Sequence, residues 1–471
     1  MKRILFISMV LVLFSMGNVT SDAFGAKSLF DDFSGPYIDG EKWSYREYVQ
    51  AVDPVAGKLV SKTGNPATAG KVYNTISFEE PESITAIECE LTIVAISLDT
   101  GRAVSFARIE GDFYNTQFLG GAAGDILATV GIGDSGNGLQ AFWNVSESLD
   151  DNLSEFEIIG SGTLIPPGRL THGTAYKVKI AYDGKNGFEF TVDGERESFA
   201  GPERYRPAAV PVKRLTTATG TSSRTAFGRG YVSALFDDVY INNEATPYDT
   251  FDNGPLDEAR WQESEIVKEV SDGQLVVNVE ARDAVWGEGT YLNDDNPAYF
   301  EAEVIVRSGS WLSPGAHGTA RIVGWYYNDS RGPDSGQDYN GYEGDVSADI
   351  WILMDYQNNL IAVANVGRVD NADRSLWTWL FRHEFSVPIS FDTPHAISVE
   401  FTGSEFIFKC DNESTSYQVT TPTYEPYNKE RAIGLETVVF AEPGESGYMK
   451  SAFDNVYTGD IGDTSDHDED S

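Results

Sequence analysis

The chain carries one opening motif twice and one closing motif twice. The opening motif lies at residues 30–43 and returns 218 residues later at 248–261. The closing motif lies at residues 235–240 and returns at 452–457. A repeat of this length fixes the domain plan before any other feature of a sequence is considered. It predicts that the chain holds two copies of one module.

The two copies span residues 27–243 and 244–459, each an ordinary size for one large β-sandwich. Residues 1–26 hold two basic residues, an apolar run of 11 residues and then small residues, the pattern of a secretory signal peptide. The apolar run is too short to span a membrane. Residues 460–471 predict a disordered acidic tail. We therefore expect a bacterial protein that is secreted, extracellular or periplasmic, without membrane insertion.

Acidic residues outnumber basic residues by 73 to 34, which gives a formal net charge of −39. A protein of this charge repels nucleic acid and anionic lipid surfaces, so neither is expected as a partner. The two cysteines, Cys89 and Cys410, fall in different copies at positions that do not correspond. Two unpaired thiols buried in strands fit this placement, and a disulfide between the copies is the alternative. The oligomeric state is left open.

Both copies alternate short strands with turns. Residues 176–181 place apolar and charged side chains on opposite faces, an Asp-Gly turn follows, and residues 187–192 run back as a second strand. The second copy repeats this hairpin at residues 395–401 and 405–410. Because we find no helical periodicity and many short strands with regular turns, we predict an all-β protein built as a sandwich or a barrel. The first and last strands of a copy both carry repeat residues, so we expect them to be neighbours.

Three of these features resemble concanavalin A-like, laminin G-like jelly rolls. They are the FDDFSG-type opening, a Phe-x-Phe-x-Val-Asp-Gly hairpin at residues 188–194 and an FDDV closing strand at residues 236–239. The second copy departs from the pattern where Asn455 replaces Asp238. The resemblance covers nearly the whole chain after the signal peptide. It implies an all-β protein of two tandem antiparallel β-sandwich jelly rolls. That superfamily includes glycan-binding modules, adhesion domains, glycoside hydrolases and polysaccharide lyases, so the fold alone does not decide the function.

One strand of the first copy carries a catalytic resemblance. Period-two alternation puts four polar side chains on the face that a jelly roll leaves open and concave: Arg108, Glu110, Asp112 and Tyr114. The order Glu-x-Asp resembles the Glu-x-Asp-x-x-Glu strand of laminarinase-type glycoside hydrolases, which implies a retaining mechanism with two carboxyl groups. Asn115 replaces the last Glu, and an amide cannot donate and recover a proton. We expect a non-catalytic face, with a hydrolase acting through Glu110 and Asp112 as the alternative.

The corresponding strand of the second copy has aromatic residues in place of the carboxylates. On the same alternation it presents Arg321, Trp325 and Tyr327, with Trp351 expected on a neighbouring strand. Seven of the nine tryptophans belong to this copy. Aromatic rings stack on the apolar faces of sugars, and charged groups or amides bond their hydroxyls. We expect these residues and the four of the first copy to bind a polysaccharide or glycan. A purely structural or adhesive surface protein is the alternative.

Acidic residues near the ends of each copy suggest a structural calcium ion. If the ends of a copy are adjacent, carboxylate oxygens could converge there, as calcium prefers. The candidate ligands are Asp32, Asp238, Asp252 and Asp454. The alternative is that these aspartates cap turns and strand ends.

Overall fold

The computed structural model describes ten stretches of the chain: residues 27–44, 47–66, 68–98, 103–117, 121–252, 254–293, 297–328, 344–371, 375–420 and 433–459. The predicted signal peptide at 1–26 and the predicted acidic tail at 460–471 lie outside the described residues. Within the described stretches, no helix is long and apolar enough to cross a membrane.

Apart from one 3₁₀ turn at Pro81–Ser83, the regular elements of the described residues are β-strands. Those of the first copy are β1 (Ser28–Asp31), β2 (Tyr48–Asp53), β3 (Lys58–Asn65), β4 (Lys71–Ser77), β5 (Ala86–Leu98), β6 (Ala103–Asn115), β7 (Asp125–Asp134), β8 (Gln140–Ser148), β9 (Phe156–Ile165), β10 (Ala175–Tyr182), β11 (Gly187–Val192), β12 (Glu195–Ala200), β13 (Arg206–Pro207), β14 (Lys213–Thr221) and β15 (Gly230–Ile241).

Those of the second copy are β16 (Ile266–Ser271), β17 (Gln274–Arg282), β18 (Val285–Tyr291), β19 (Tyr299–Val306), β20 (Trp311–Leu312), β21 (His317–Asn328), β22 (Asp345–Asp355), β23 (Leu360–Val369), β24 (Trp377–Glu384), β25 (His395–Phe401), β26 (Glu405–Cys410), β27 (Glu413–Gln418), β28 (Ile433–Phe440) and β29 (Ser446–Gly459). The predicted strands at 187–192, 395–401 and 405–410 are confirmed to the residue.

Three antiparallel sheets build the fold. A shared sheet runs through both copies in the order β12-β11-β10-β5-β15-β3-β2-β16-β17-β29-β19-β25-β26-β27. The first front sheet, β4-β14-β6-β7-β8-β9, and the second front sheet, β18-β28-β21-β22-β23-β24, each pack against their half of the shared sheet. An all-β fold of two antiparallel sandwiches is therefore confirmed.

Each sandwich has its own apolar core, and each core holds one cysteine. Cys89 on β5 lies in the first core and Cys410 on β26 lies in the second. Both are buried free thiols, as the sequence predicted.

The two copies meet in the middle of the shared sheet, where β2 pairs with β16. Val49 lies directly opposite Val267, 218 residues later in the repeat, so the pairing has near two-fold symmetry. Val49, Ala51 and Val267 form a small buried cluster of their own at this point. The copies are therefore joined by strand pairing as well as by the chain.

The opening segments, residues 27–44 and 248–262, are exchanged between the copies. Trp43 is fully buried in the core of the second copy, whereas Trp261 is buried in the core of the first. Correspondingly, β1 of the first copy pairs with β29 of the second. The expected neighbouring of first and last strands within a copy is wrong. They are neighbours across copies, and each sandwich is completed by the other copy's opening segment.

The short junction between the copies directs this exchange. β15 ends at Ile241, and the backbone N–H of Tyr248 already donates to the carbonyl oxygen of Val239 at 2.6 Å. Asn242 and Asn243 make the reversal with φ angles of 53° and 57°, a left-handed conformation that asparagine tolerates. The second opening segment is thus returned to the closing strand of the first copy.

Buried carboxylates fix both opening segments in place. The indole N–H of Trp43 donates to Asp31 and that of Trp261 donates to Asp249, each at 2.7 Å. Glu47 and Glu265 lie at equivalent positions of the two copies. Each accepts two backbone N–H groups, one from the opening segment of its own copy and one from a strand of the other copy.

We expect Trp261→Ala to loosen the first sandwich, although Trp261 belongs to the second copy in sequence. Removing a fully buried tryptophan costs about 3–5 kcal/mol of unfolding free energy. Amide hydrogen exchange should therefore rise in β7 and β8, whereas Trp43→Ala should raise it in β22 and β28. If the two variants loosened the opposite halves, the exchanged arrangement would be contradicted.

Candidate functional site

The outer face of the first front sheet carries three of the four residues predicted there. Ile109 on β6 points into the first core, as alternation requires. Arg108, Glu110 and Asp112 lie on the opposite face, next to Arg214 and Thr216 of the paired strand β14. This part of the predicted placement follows directly from the two-residue period of a strand.

Glu110 is fully buried beneath two arginines. Arg108 and Arg214 each form an ion pair with its carboxylate, and the Thr216 hydroxyl donates to it at 3.0 Å. Burial on its own raises the pKa of the Glu110 carboxyl, but the two guanidiniums outweigh burial and hold that pKa below its ordinary value. Glu110 is therefore a charged partner for two cations.

Asp112 is nearly buried and has a different environment. Burial raises the pKa of its carboxyl to about 7, opposed by Arg214 and reinforced by the charges of Asp125 and Glu110. The ammonium group of Lys213 donates to the backbone oxygen of Asp112, at 3.1 Å. Near neutral pH this side chain is therefore only partly ionised.

The predicted outward placement of Tyr114 is wrong. A β-bulge between Asp112 and Tyr114 shifts the register of β6 against β7 by one residue. Tyr114 is consequently fully buried in the first core, with its ring centroid 5.4 Å from that of Tyr182. The second copy has a bulge at the corresponding place, between Trp325 and Tyr327. The side chain of Tyr327 lies outside the described residues.

Arg321 and Trp351 lie together on the outer face of the second front sheet. They are opposite each other on β21 and β22, and the guanidinium carbon is 5.5 Å from the centre of the indole ring. Arg321 also donates twice to one carboxylate oxygen of Glu436 on β28, at 3.0 and 2.6 Å. This arrangement orients the guanidinium against the ring, in the geometry of a cation–π pair.

Four tryptophans form a cluster beside this pair, which we call the tryptophan face: Trp325, Trp351, Trp377 and Trp379. Ring centroids are 5.4 Å apart for Trp325 and Trp377, 6.0 Å for Trp351 and Trp379, and 6.3 Å for Trp377 and Trp379. Gly367 leaves room for the cluster, because a Cβ there would come within 3.2 Å of the Trp377 ring. Trp379 is 52 % exposed, so its ring is open to solvent.

A buried amide lies on the same outer face. Asn365 on β23 is 1 % exposed and lies between Asp349 of β22 and Arg382 of β24 in the sheet register. Neither its amide nitrogen nor its amide oxygen has a hydrogen-bond partner among the described residues. Burying unpaired polar atoms is costly, so this amide is suited to a bound water or ligand.

The residues that sequence analysis missed come from other strands of the same sheets. Trp377 and Trp379 are two residues apart on one strand, and this spacing alone predicts that their rings lie on the same face of the sheet. No comparable pattern in the sequence points to Arg214, Glu436 or Asn365. They join the site through strand pairing that the sequence pattern does not specify.

The four aspartates predicted to bind calcium do not form one group. Asp32 accepts hydrogen bonds from the backbone and hydroxyl of Ser34, and Asp454 accepts one from the backbone of Asn455. Burial raises the pKa of the Asp454 carboxyl, opposed by hydrogen bonds from Asn455 and Gln274 and reinforced by the charges of Glu303 and Asp32. Among the described residues, no three His, Cys, Asp or Glu side chains could jointly hold a metal. Calcium binding by these residues or by Asp238 and Asp252 stays a prediction.

No family model and no curated protein matches the chain. Solved structures similar to it include domains LG4-5 of the mouse laminin alpha1 chain, at 10% identity and a TM-score of 0.24, covering 84% of this chain and 92% of that one. The kappa-carrageenase of Pseudoalteromonas carrageenovora, in complex with a kappa-carrageenan oligotetrasaccharide, is 11% identical at a TM-score of 0.23, covering 47% and 99%. An alginate lyase from a Chlorella virus is 12% identical at a TM-score of 0.25, covering 41% and 88%.

The all-β fold of antiparallel sandwiches follows from the sheets of this chain themselves. At these identities and TM-scores, the likenesses carry no argument about function.

We expect Asp112→Asn to flatten the pH dependence of stability between about pH 4 and pH 7. The folded pKa of Asp112 lies above its unfolded value, so the wild type loses stability as pH rises through this window, by roughly 1 kcal/mol per pH unit at most. Urea unfolding at several pH values measures the effect. Asp392→Asn is the matched control, because its exposed carboxylate has a lowered pKa and titrates below this window. It should leave the slope between about pH 5 and pH 7 unchanged. Equal slopes in wild type and Asp112→Asn would contradict the expectation.

Proposed function

We propose that this protein is a secreted, non-catalytic polysaccharide-binding protein, and that its principal binding surface is the tryptophan face of the second copy. The observation that carries the proposal is the half-exposed ring of Trp379, which packs against Trp351 and Trp377 on the outer face of the second front sheet. A large exposed aromatic surface costs solvation free energy, and in a soluble protein it marks a binding site.

The chemistry of this face suits a sugar chain. Indole rings offer flat surfaces for the apolar faces of sugar rings. The Arg321 guanidinium offers hydrogen bonds to hydroxyl groups at the edges of those rings, and the buried, unpaired amide of Asn365 can bond them through a bound water. Because the rings are packed against one another, little side-chain entropy is lost when a ligand binds.

We expect Trp379→Ala to weaken polysaccharide binding at least tenfold, equivalent to about 1.4 kcal/mol, because the exposed stacking surface is removed. The measurements are a glycan array followed by titration calorimetry with the polysaccharide that binds. Trp311→Ala is the matched control, since Trp311 is 40 % exposed but lies on β20, away from the second front sheet. Asn365→Ala should also weaken binding while leaving the rings in place.

Two results would contradict this proposal. One is an array without any bound polysaccharide, which would favour a structural or adhesive protein. The other is an equal loss of binding in Trp311→Ala and Trp379→Ala.

The second candidate function is a glycoside hydrolase centred on Glu110 and Asp112. Its acid would need a raised pKa and access to the glycosidic oxygen. Asp112 has a raised pKa but is only 4 % exposed, which denies it access to a glycosidic oxygen. Glu110 has a lowered pKa, is fully buried and is ion-paired with two arginines. At the place of the family's last Glu, the amide of Asn115 donates to Asp125 at 2.5 Å. These contacts favour a structural role for Glu110.

We therefore expect no release of reducing ends from β-glucans by the purified protein. We also expect Glu110→Gln to lower the unfolding free energy by about 3–5 kcal/mol, because two guanidiniums lose their buried counter-charge. Reducing-sugar assays and urea unfolding measure the two effects. Hydrolysis that is lost in a folded Glu110→Gln variant would establish the enzyme instead.

A further inference from the structure

A cleft of about 450 Å³ lies between the two front sheets, over the place where the copies join. Its floor includes Tyr48 of β2 and Lys268 of β16, which are paired across the copies. Its sides are formed by β4 of the first front sheet and β18 of the second. These are edge strands, and among the described strands each is paired on one side only.

Two exposed aromatic residues line this cleft, one from each copy. Tyr73 of β4 is 42 % exposed and Trp286 of β18 is 48 % exposed. Lys268 beneath them is buried and bonded to Glu288, at 2.9 Å. The cleft therefore resembles the tryptophan face, because in both places exposed aromatic rings lie beside an ion pair.

The outer face of the second front sheet ends at the cleft, where Trp286 and Glu288 of its edge strand β18 face the shared sheet. On β18, Gly287 and Gly289 lie opposite Val438 and Glu436 of β28, on the outer side of the sheet. Their lack of side chains leaves only backbone between the Arg321–Glu436 pair and the cleft. Arg321 in turn contacts Trp351 of the tryptophan face.

The cleft is continuous with the outer face of the first front sheet. Tyr73 lies on the same side of β4 as Ser77, which is opposite Arg214 of β14. Arg214 leads to Glu110 and Arg108 on β6. Strands in a sheet are about 4.8 Å apart, so the six strands of each front sheet span roughly 24 Å, with the cleft between the two spans.

Positive charge is in excess at the first front sheet. Two guanidiniums flank the buried carboxylate of Glu110, and the neighbouring carboxyl of Asp112 is only partly ionised near neutral pH. The side chains of Arg108 and Arg214 are 12 % and 32 % exposed. Burial and then the charge of Arg108 lower the pKa of Lys71, on the neighbouring edge strand. The chain as a whole has a net charge of −39, and an anionic group placed over Arg108 and Arg214 would balance this local excess of positive charge.

We propose that the cleft joins the two outer faces into one path for an extended acidic polysaccharide. Sugar rings at one end of the chain stack on the tryptophan face, and the chain then crosses the cleft between Trp286 and Tyr73. Further along, it places a carboxylate or sulfate group at Arg108 and Arg214. This inference rests on the proposed function and adds to it a third contact region and the charge of the ligand. At physiological salt, charges more than about 8 Å away are largely screened, so the local cations dominate over the acidic surface.

The test uses the full chain and oligosaccharides of increasing length, from carboxylated, sulfated and neutral polysaccharides, in titration calorimetry. Affinity for acidic chains is expected to rise with length until a chain can cross the cleft. The double variant Tyr73→Ala/Trp286→Ala should bind long chains at least tenfold more weakly than wild type. Its affinity for short chains should be unchanged, because short chains occupy only the tryptophan face. Trp311→Ala is again the control for loss of an exposed ring.

Charge recognition is tested separately. Lys71→Gln and Arg214→Gln should reduce the preference for acidic over neutral chains and the salt dependence of binding, with urea unfolding to verify that each variant is folded. The carboxylated and sulfated series decide which anionic group is bound. If Trp379→Ala abolishes binding but the cleft variant binds long chains as tightly as wild type, the path is wrong and the proposed function stands. Tighter binding of neutral than acidic long chains would overturn the charge assignment. If no chain of any length binds, both proposals fail.

Discussion

The closure of each sandwich by the other copy's opening segment is the constraint on which this fold depends. Trp43 and Trp261 are fully buried in cores to which they do not belong in sequence. The covalent junction holds the exchanging segments at high effective concentration, so the exchange adds little entropic cost. Neither sandwich has a complete core without the other.

Two buried carboxylates connect this exchange to the shared sheet. Glu47 and Glu265 each bond one backbone N–H from each copy, so that breaking one contact leaves a buried charge without its donors. Burial raises the pKa of both carboxyls, opposed by Lys62 at Glu47 and by the Val52 backbone N–H at Glu265. Such groups stabilise the protein less as pH rises above their unfolded pKa values. They specify one arrangement of the two copies, at some cost in stability.

The same strand, with the same bulge, serves two different surfaces. In the first copy its outer face carries a cluster of ion pairs, in which the carboxylate of Glu110 offsets part of the positive charge of two guanidiniums. In the second copy the position of Asp112 is taken by Trp325, and neighbouring strands add three further rings. The core face of the strand is alike in both, since Ile109 and Ile322 pack inward. The repeat therefore preserves the sandwich and allows its outer faces to differ.

The sequence by itself determined the all-β class, the two copies, several strand bounds and the outward placement of Arg108, Glu110 and Arg321. These follow from local rules, because side chains alternate every two residues along a strand and a repeat preserves that order. Alternation failed at Tyr114, where a bulge inserts one residue and reverses the facing of those that follow. Only the tertiary structure decided which opening segment closes which core, and which partners reach the site from other strands, namely Arg214, Glu436 and Asn365. Strand pairing and packing between distant segments depend on contacts that no local pattern encodes, and those contacts assemble the tryptophan face from β21, β22 and β24.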